Sequence, residues 1–305
     1  MIIALIAACR PRQWTKNLLV YASALFSFQL HPSIWWASTE ALLAFCLISS
    51  AVYLLNDVID RQADRAHPSK CRRPIAAGAL PVPIALIAAA LIAILSLAVG
   101  ASVSPGLAAV ITGYALIQIA YCLGLKRQPL LDLFCIASGF ILRALAGLVA
   151  TGLGASPWFL LTIGLLALFL AVEKRKAELR VSLDRGVLTR QVLLRYSLPL
   201  LQRLESLVAS SAFMAYALWS AGPTLGGAST SWMLLTAPFV IAGIFRYQLL
   251  SDPEETERRC ARYPDRNSEK PEEILLGDRG IQLILFGWIA SVSLIGMGHR
   301  MGWLA

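Results

Sequence analysis

Long apolar blocks separated by short charged segments govern what this chain can become. A helix that crosses a ~30 Å hydrocarbon layer needs roughly 20 apolar residues. Blocks of that kind lie near 17–30, 38–56, 82–100, 104–123, 131–151, 157–173, 204–220, 232–250 and 280–297. Their apolar residues run without the strict alternation of a transmembrane barrel. Only 15% of the 305 residues are charged and mean hydropathy is +0.66, whereas soluble domains carry about 25% charge. The expectation is an all-α, polytopic membrane protein of nine spans. So many crossings leave no separate soluble domain, so residues 1–305 read as one membrane-embedded domain.

The cations set the expected orientation. Of 27 Lys and Arg, 24 fall before span one or after spans two, four, six and eight. The alternate connections, around His31, Ser104, Gly154 and Gly226, hold none. Short cytoplasmic loops collect Lys and Arg, so the N-terminus is expected in the cytoplasm of a cell with this protein in its inner membrane. Cytoplasmic cap loops are then expected near 57–80, 124–130, 174–203 and 251–279. The net charge of +9 is spread over one membrane face, which argues for membrane lipids and a phosphorylated substrate rather than nucleic acid.

The most informative segment is residues 53–78, where an apolar helix turns polar as it leaves the membrane. Asn56, Asp57, Asp60 and Asp64 there form N-D-x-x-D-x-x-x-D. On one continuous helix the three aspartates lie within an arc of about 60°. Carboxylates so close repel one another unless a cation intervenes. Oxygen-only ligands favour Mg²⁺, which keeps waters and is completed by substrate phosphates. The plain alternative is that the aspartates pair with Arg61, Arg65, Lys70, Arg72 and Arg73 at a solvated helix end. Asn56 and Asp57, still at membrane depth, weigh toward function.

Beyond span four stand Tyr121, Lys126, Arg127 and one acid, Asp132. Asp132, Gly139 and Arg143 share a helix face, with Arg143 roughly 16 Å deeper than Asp132. A cation at that depth faces a polar cavity or a partner, either receiving an anionic group or bonding interior carbonyls. At the end of span six, Lys174 and Arg175 face a phosphorylated substrate, or Lys174 pairs with Glu178 four residues on. Arg10, Arg12 and Lys16 around Trp14 read as an interfacial anchor. His67-Pro68 reads as a helix stop, and residues 251–273 as a solvated loop. Cys9, Cys46, Cys71, Cys122, Cys135 and Cys260 include no CxxC pair, which supports neither a zinc site nor a disulfide framework. Gly147, Gly152 and Gly154 permit close helix packing, within one chain or in a homo-oligomer.

The motif at 56–64 with R-P-I-A-A-G at 73–78 resembles the UbiA superfamily of intramembrane prenyltransferases. Further blocks are RPRQWTKN at 10–17, LKRQPLLDLFCIASGFILRALAG at 125–147, FLAVEKRKAEL at 169–179 and PEEILLGDR at 271–279. With residues 53–78 they resemble its decaprenyl-phosphate phosphoribosyltransferase branch. The resemblance implies a nine-helix UbiA-type bundle acting as one transferase domain. It also implies a 5-phosphoribosyl 1-diphosphate donor and a polyprenyl phosphate acceptor. Asn56, Asp57, Asp60 and Asp64 would form the catalytic motif, with Mg²⁺ on the three aspartates. Lys16, Asn17, Arg73, Tyr121, Lys126, Asp132, Arg143, Lys174 and Arg175 would bind substrate. Members that use an isoprenyl diphosphate carry a second aspartate-rich motif after span four, and this sequence departs from that pattern. The nearest alternative is transfer of an isoprenyl group to an aromatic or quinone-precursor acceptor. A lipid or ion transporter is the alternative outside enzymes, disfavoured by the lack of an internal repeat.

Overall fold

Six of the long helices open on a proline in the first turn: Pro32, Pro83, Pro105, Pro157, Pro199 and Pro238. A proline there gives up an amide that has no intrahelical partner anyway, and its fixed φ suits the helix. The computed structural model describes residues 1–29, 31–66, 70–154, 156–185, 191–255, 258 and 277–303. His67, Pro68 and most of the expected cap loop 251–279 lie outside them. Every regular element among the described residues is helical.

The chain falls into two compact units. The first comprises Met1–Lys126 with Ser138–Gly154. It contains α1 (Ile2–Ala8), a 3-10 stretch (Pro11–Tyr21), α2 (Ala22–Phe26), α3 (Pro32–Ile59), α4 (Arg61–Ala66), α5 (Val82–Val103) and α6 (Pro105–Leu123). The larger part of α7 (Leu131–Thr151) also belongs to it. The core joins Phe45, Ile48, Leu107, Ile111 and Tyr114. Helix α5 buries only Ala85, Ala89, Ser96 and Gly100. These small residues recur on one helix face and let backbones approach; Ser96 Oγ donates to the Ala44 carbonyl of α3 at 2.7 Å. Leu91, Ile94 and Leu95 of α5 stay exposed, as lipid-facing side chains should. A single residue, Ser104, separates α5 from α6; it ends one helix and its hydroxyl accepts from the Leu107 amide to cap the next. A Cβ built on Gly147 of α7 would lie 1.9 Å from the Val20 carbonyl oxygen.

The second unit comprises Arg127–Ala137 with Ala155–Ala305. It holds the first turns of α7, then α8 (Pro157–Arg185), a 3-10 turn (Gln191–Arg195), α9 (Leu198–Ser220), α10 (Ala237–Leu250) and α11 (Arg279–Arg300). Leu133, Val172, Leu179, Leu193 and Leu201 pack together in one cluster. Phe169, Val208, Ile244, Tyr247 and Leu250 pack in a second cluster.

Seven described helical segments are long and apolar enough to cross a membrane, one of them joining a 3-10 stretch (Ser231–Thr236) to α10, so the chain is a multi-pass membrane protein. Two of the nine expected spans differ from these seven. Within the expected span 17–30, residues 17–26 form the end of the 3-10 stretch and then α2 rather than one long α-helix. Here buried Asn17 and the Val20 carbonyl face partners in the unit instead of extending a uniform apolar surface. Residues 204–220 are helical within α9, whose first half carries Gln202, Arg203 and Glu205. The fourth and fifth helices of the seven, α7 and α8, start where the apolar blocks predict, and α8 runs on to Arg185.

Candidate functional site

The N-D-x-x-D segment does not continue as one helix. Helix α3 ends at Ile59, Asp60 adopts φ −86° and ψ 3°, and α4 starts at Arg61. The expected single acidic face is therefore broken at Asp60, although backbone bonds from Asp60 to Asn56 and from Asp64 to Asp60 bridge the joint. Asp57 and Asp64 are nearly inaccessible, at 2% and 3% exposure. Arg73 Nη1 donates to Asp57 Oδ1 at 3.1 Å and to Asp64 Oδ2 at 2.7 Å. Arg10 also pairs with Asp57, and its guanidinium lies 4.9 Å over the Tyr53 ring. Lys126 Nζ donates to Asp60 Oδ1 at 2.5 Å. The Cys122 thiol donates to Asn56 Oδ1 at 3.4 Å. Of the cations expected opposite the aspartates, Arg73 is there; Arg10 and Lys126 come from 47 and 66 residues away.

A cationic nitrogen thus already sits between two buried carboxylates. That arrangement fits a hard divalent cation, which would find oxygens of Asp57 and Asp64 there and, like Mg²⁺, draw its other ligands from water and phosphate. Among the described residues no three His, Cys, Asp or Glu side chains gather as a ready-made ligand set, and Asp60 faces Lys126.

A second polar group lies deeper in the first unit. Arg143 is 5% exposed. Its Nε donates to Asn17 Oδ1 at 2.7 Å, Nη1 to the Gly139 carbonyl at 2.8 Å and Nη2 to the Tyr114 hydroxyl at 3.1 Å. Asn17 is fully buried and donates to Ser49 Oγ and Cys46 Sγ at 3.2 and 3.3 Å. Asn17 therefore orients Arg143 inside the unit. Lys16, next to it, is half-buried, as is Tyr121 on α6.

In the second unit Asp132, also fully buried, accepts from Arg175 Nε at 2.7 Å on one oxygen and from the Tyr196 hydroxyl at 2.7 Å on the other. The same hydroxyl accepts the Leu130 amide at 2.7 Å. Glu178 pairs with Arg175, where the sequence pointed to Lys174, which is half-buried. Arg175 is thereby held by two carboxylates. Lys176 Nζ donates to Glu173 Oε1 at 2.6 Å and pairs with Glu205, which also accepts from Gln248 at 3.1 Å. Arg10, Tyr114, Tyr196 and Glu205 were not among the sequence candidates. Only Arg10 left a trace, in the block at 10–17.

Apolar helices around buried carboxylates matched by cations define a multi-pass membrane protein with a charged polar site in its first unit. More particularly, the chain belongs to the UbiA prenyltransferase family, whose model matches residues 17–266. It is 38% identical to the decaprenyl-phosphate phosphoribosyltransferase of Mycolicibacterium smegmatis, across 96% of this chain and 92% of that protein. The protein of the same name from Corynebacterium glutamicum is 38% identical across 93% of this chain and 84% of its own. In three dimensions the chain resembles a UbiA homolog from Archaeoglobus fulgidus bound to DMAPP and Mg²⁺, with TM-score 0.69 and 19% identity over 95% of this chain and 98% of that one. The same homolog bound to GPP and Mg²⁺ gives 0.70 at 20% identity, over the same shares. These likenesses establish the UbiA fold.

Proposed function

We propose that this chain is a Mg²⁺-dependent phosphoribosyltransferase. It moves 5-phosphoribose from 5-phosphoribosyl 1-diphosphate to the phosphate of a decaprenyl-type polyprenyl phosphate and releases diphosphate. The observation that carries this reading is identity of 37–38% to proteins named for that activity, across 93–96% of the chain. In the reaction the bond from ribose C1 to the diphosphate oxygen breaks, and a phosphate oxygen of the lipid forms the new bond to C1. Asp57 and Asp64, with Asp60 at the helix break, would hold a divalent cation, which would supply positive charge to the departing diphosphate.

The chain's own groups do the rest. Arg73 and Arg10, held at the carboxylates, are placed to take up phosphate oxygens as bidentate donors. Lys126 adds a point charge beside Asp60. The attacking oxygen is already anionic, so the site needs no strong general base. The bias of 24 among 27 cations supports a site at the cytoplasmic face of the inner membrane.

The test uses purified full-length protein in lipid with Mg²⁺, radiolabelled phosphoribosyl donor and polyprenyl phosphate. Label entering the lipid phase with one diphosphate released per transfer is the expected result. Label left in water, while geranyl diphosphate is consumed with an aromatic acceptor, overturns the reading.

A further inference from the structure

We propose that Arg143 is the binding group for a phosphate monoester carried by one of the substrates, at a position deeper in the first unit than the carboxylates. This rests on the phosphoribosyl-transfer reading and adds a second anion subsite to it. The first argument is charge balance. At the mouth, Asp57, Asp60 and Asp64 are matched by Arg10, Arg73 and Lys126. Arg143 has no such match: among the described residues no carboxylate comes within 4.0 Å of it, and its acceptors are an amide, a carbonyl and a phenol. The Tyr114 and Phe140 rings complete its surroundings, at 5.1 and 5.5 Å. A buried, uncompensated cation in a membrane protein is costly and marks a site where an anion arrives.

The second argument is capacity. A guanidinium has five N–H donors, and three hydrogen bonds to protein acceptors leave two. Neutral acceptors fix the guanidinium's direction without cancelling its charge. Gly139 contributes room: a Cβ there would stand 3.1 Å from Nη1.

Depth selects the ligand. Asn17 joins Arg143 to Cys46 and Ser49, which precede Asp57 by 11 and 8 residues on α3. By helical rise these positions lie ~16 and ~12 Å below Asp57. That is too far for one diphosphate to span. In the proposed reaction each substrate carries one further anionic group: the 5-phosphate of the donor or the phosphate of the acceptor. Both are phosphate monoesters, suited to a guanidinium fork.

The experiment measures KM for donor and acceptor separately in wild type, Arg143→Lys, Arg143→Gln and Gly139→Ala. In parallel, it measures thermal stabilisation of the full-length protein by ribose 5-phosphate against ribose, and by farnesyl phosphate against farnesol. Loss of a charge-assisted contact should raise one KM about 10- to 100-fold, with Arg143→Lys milder than Arg143→Gln. A raised donor KM with stabilisation by ribose 5-phosphate assigns the donor's phosphate. A raised acceptor KM with stabilisation by farnesyl phosphate assigns the lipid's. Both KM values within twofold of wild type in folded variants overturn the proposal. So does a wild type stabilised by neither phosphate, whatever the variants do. If wild type binds a monoester through Arg143 but transfers no phosphoribose, the functional reading fails and the subsite stands.

Discussion

The Tyr196 hydroxyl stands 2.7 Å from Asp132 Oδ1, across 64 residues of chain. It also receives the amide of Leu130, whose φ is +68°. A leucine in the left-handed region is strained, and Tyr196 is the side chain that holds it. Tyr196→Phe leaves the Leu130 amide and one Asp132 oxygen short of a partner, and should cost about 1–3 kcal/mol. A melting temperature equal to wild type would contradict this.

Burial also pushes the Tyr196 phenol above its ordinary value of 10.0. The folded chain then keeps a proton that the unfolded chain releases, so its contribution to stability is complete below about pH 10 and shrinks as pH rises further. Melting curves between about pH 9 and pH 11 should fall less steeply for Tyr196→Phe than for wild type.

Arg175 is held by Asp132 and Glu178 inside the second unit. Arg175→Met strands a buried carboxylate and should destabilise by about 3–5 kcal/mol. Adding Asp132→Leu should restore much of the loss, since removing both partners of a buried pair is often close to neutral. A stable Arg175→Met protein with a raised donor KM would instead place Arg175 against substrate.

Asp57 and Asp64 share the Arg73 nitrogen, whereas Asp60 faces Lys126. Asp57→Asn and Asp64→Asn should each raise the Mg²⁺ concentration for half-maximal activity by ~10-fold or more, with a smaller effect for Asp60→Asn. Chelation should abolish transfer and re-addition restore it. Equal Mg²⁺ dependence in all three variants would remove the metal from these residues.

Gly147 touches the Val20 carbonyl so closely that a methyl group has no space. Gly147→Ala should destabilise by at least ~1–3 kcal/mol and lower the yield of folded protein from membranes. Gly152, where a Cβ meets nothing within 4 Å but φ is +68°, should show the milder cost of backbone strain on substitution by Ala.

The apolar blocks made the long helices legible, because hydrocarbon thickness imposes their length whatever the fold. Spacing also drew attention to Asp57, Asp60 and Asp64. It assumed an unbroken helix, and the turn at Asp60 shows why that assumption fails where a helix leaves the apolar layer. The partners were harder to read. Arg10 with Asp57, Lys126 with Asp60 and Arg175 with Asp132 are separated by 47, 66 and 43 residues, and no local periodicity encodes such pairings. Asn17 belongs to the sequence block at 10–17, but its role in orienting Arg143 emerges only when α7 is folded beside the 3-10 stretch.

Ser104 carries a consequence for how the protein enters its membrane. With one uncharged residue between α5 and α6, and its hydroxyl already satisfying the first amide of the second helix, the turn brings almost no hydrated cargo. The pair is suited to insert as a preformed hairpin in one event, so lengthening that turn with charged residues should slow biogenesis while leaving the finished enzyme's chemistry intact.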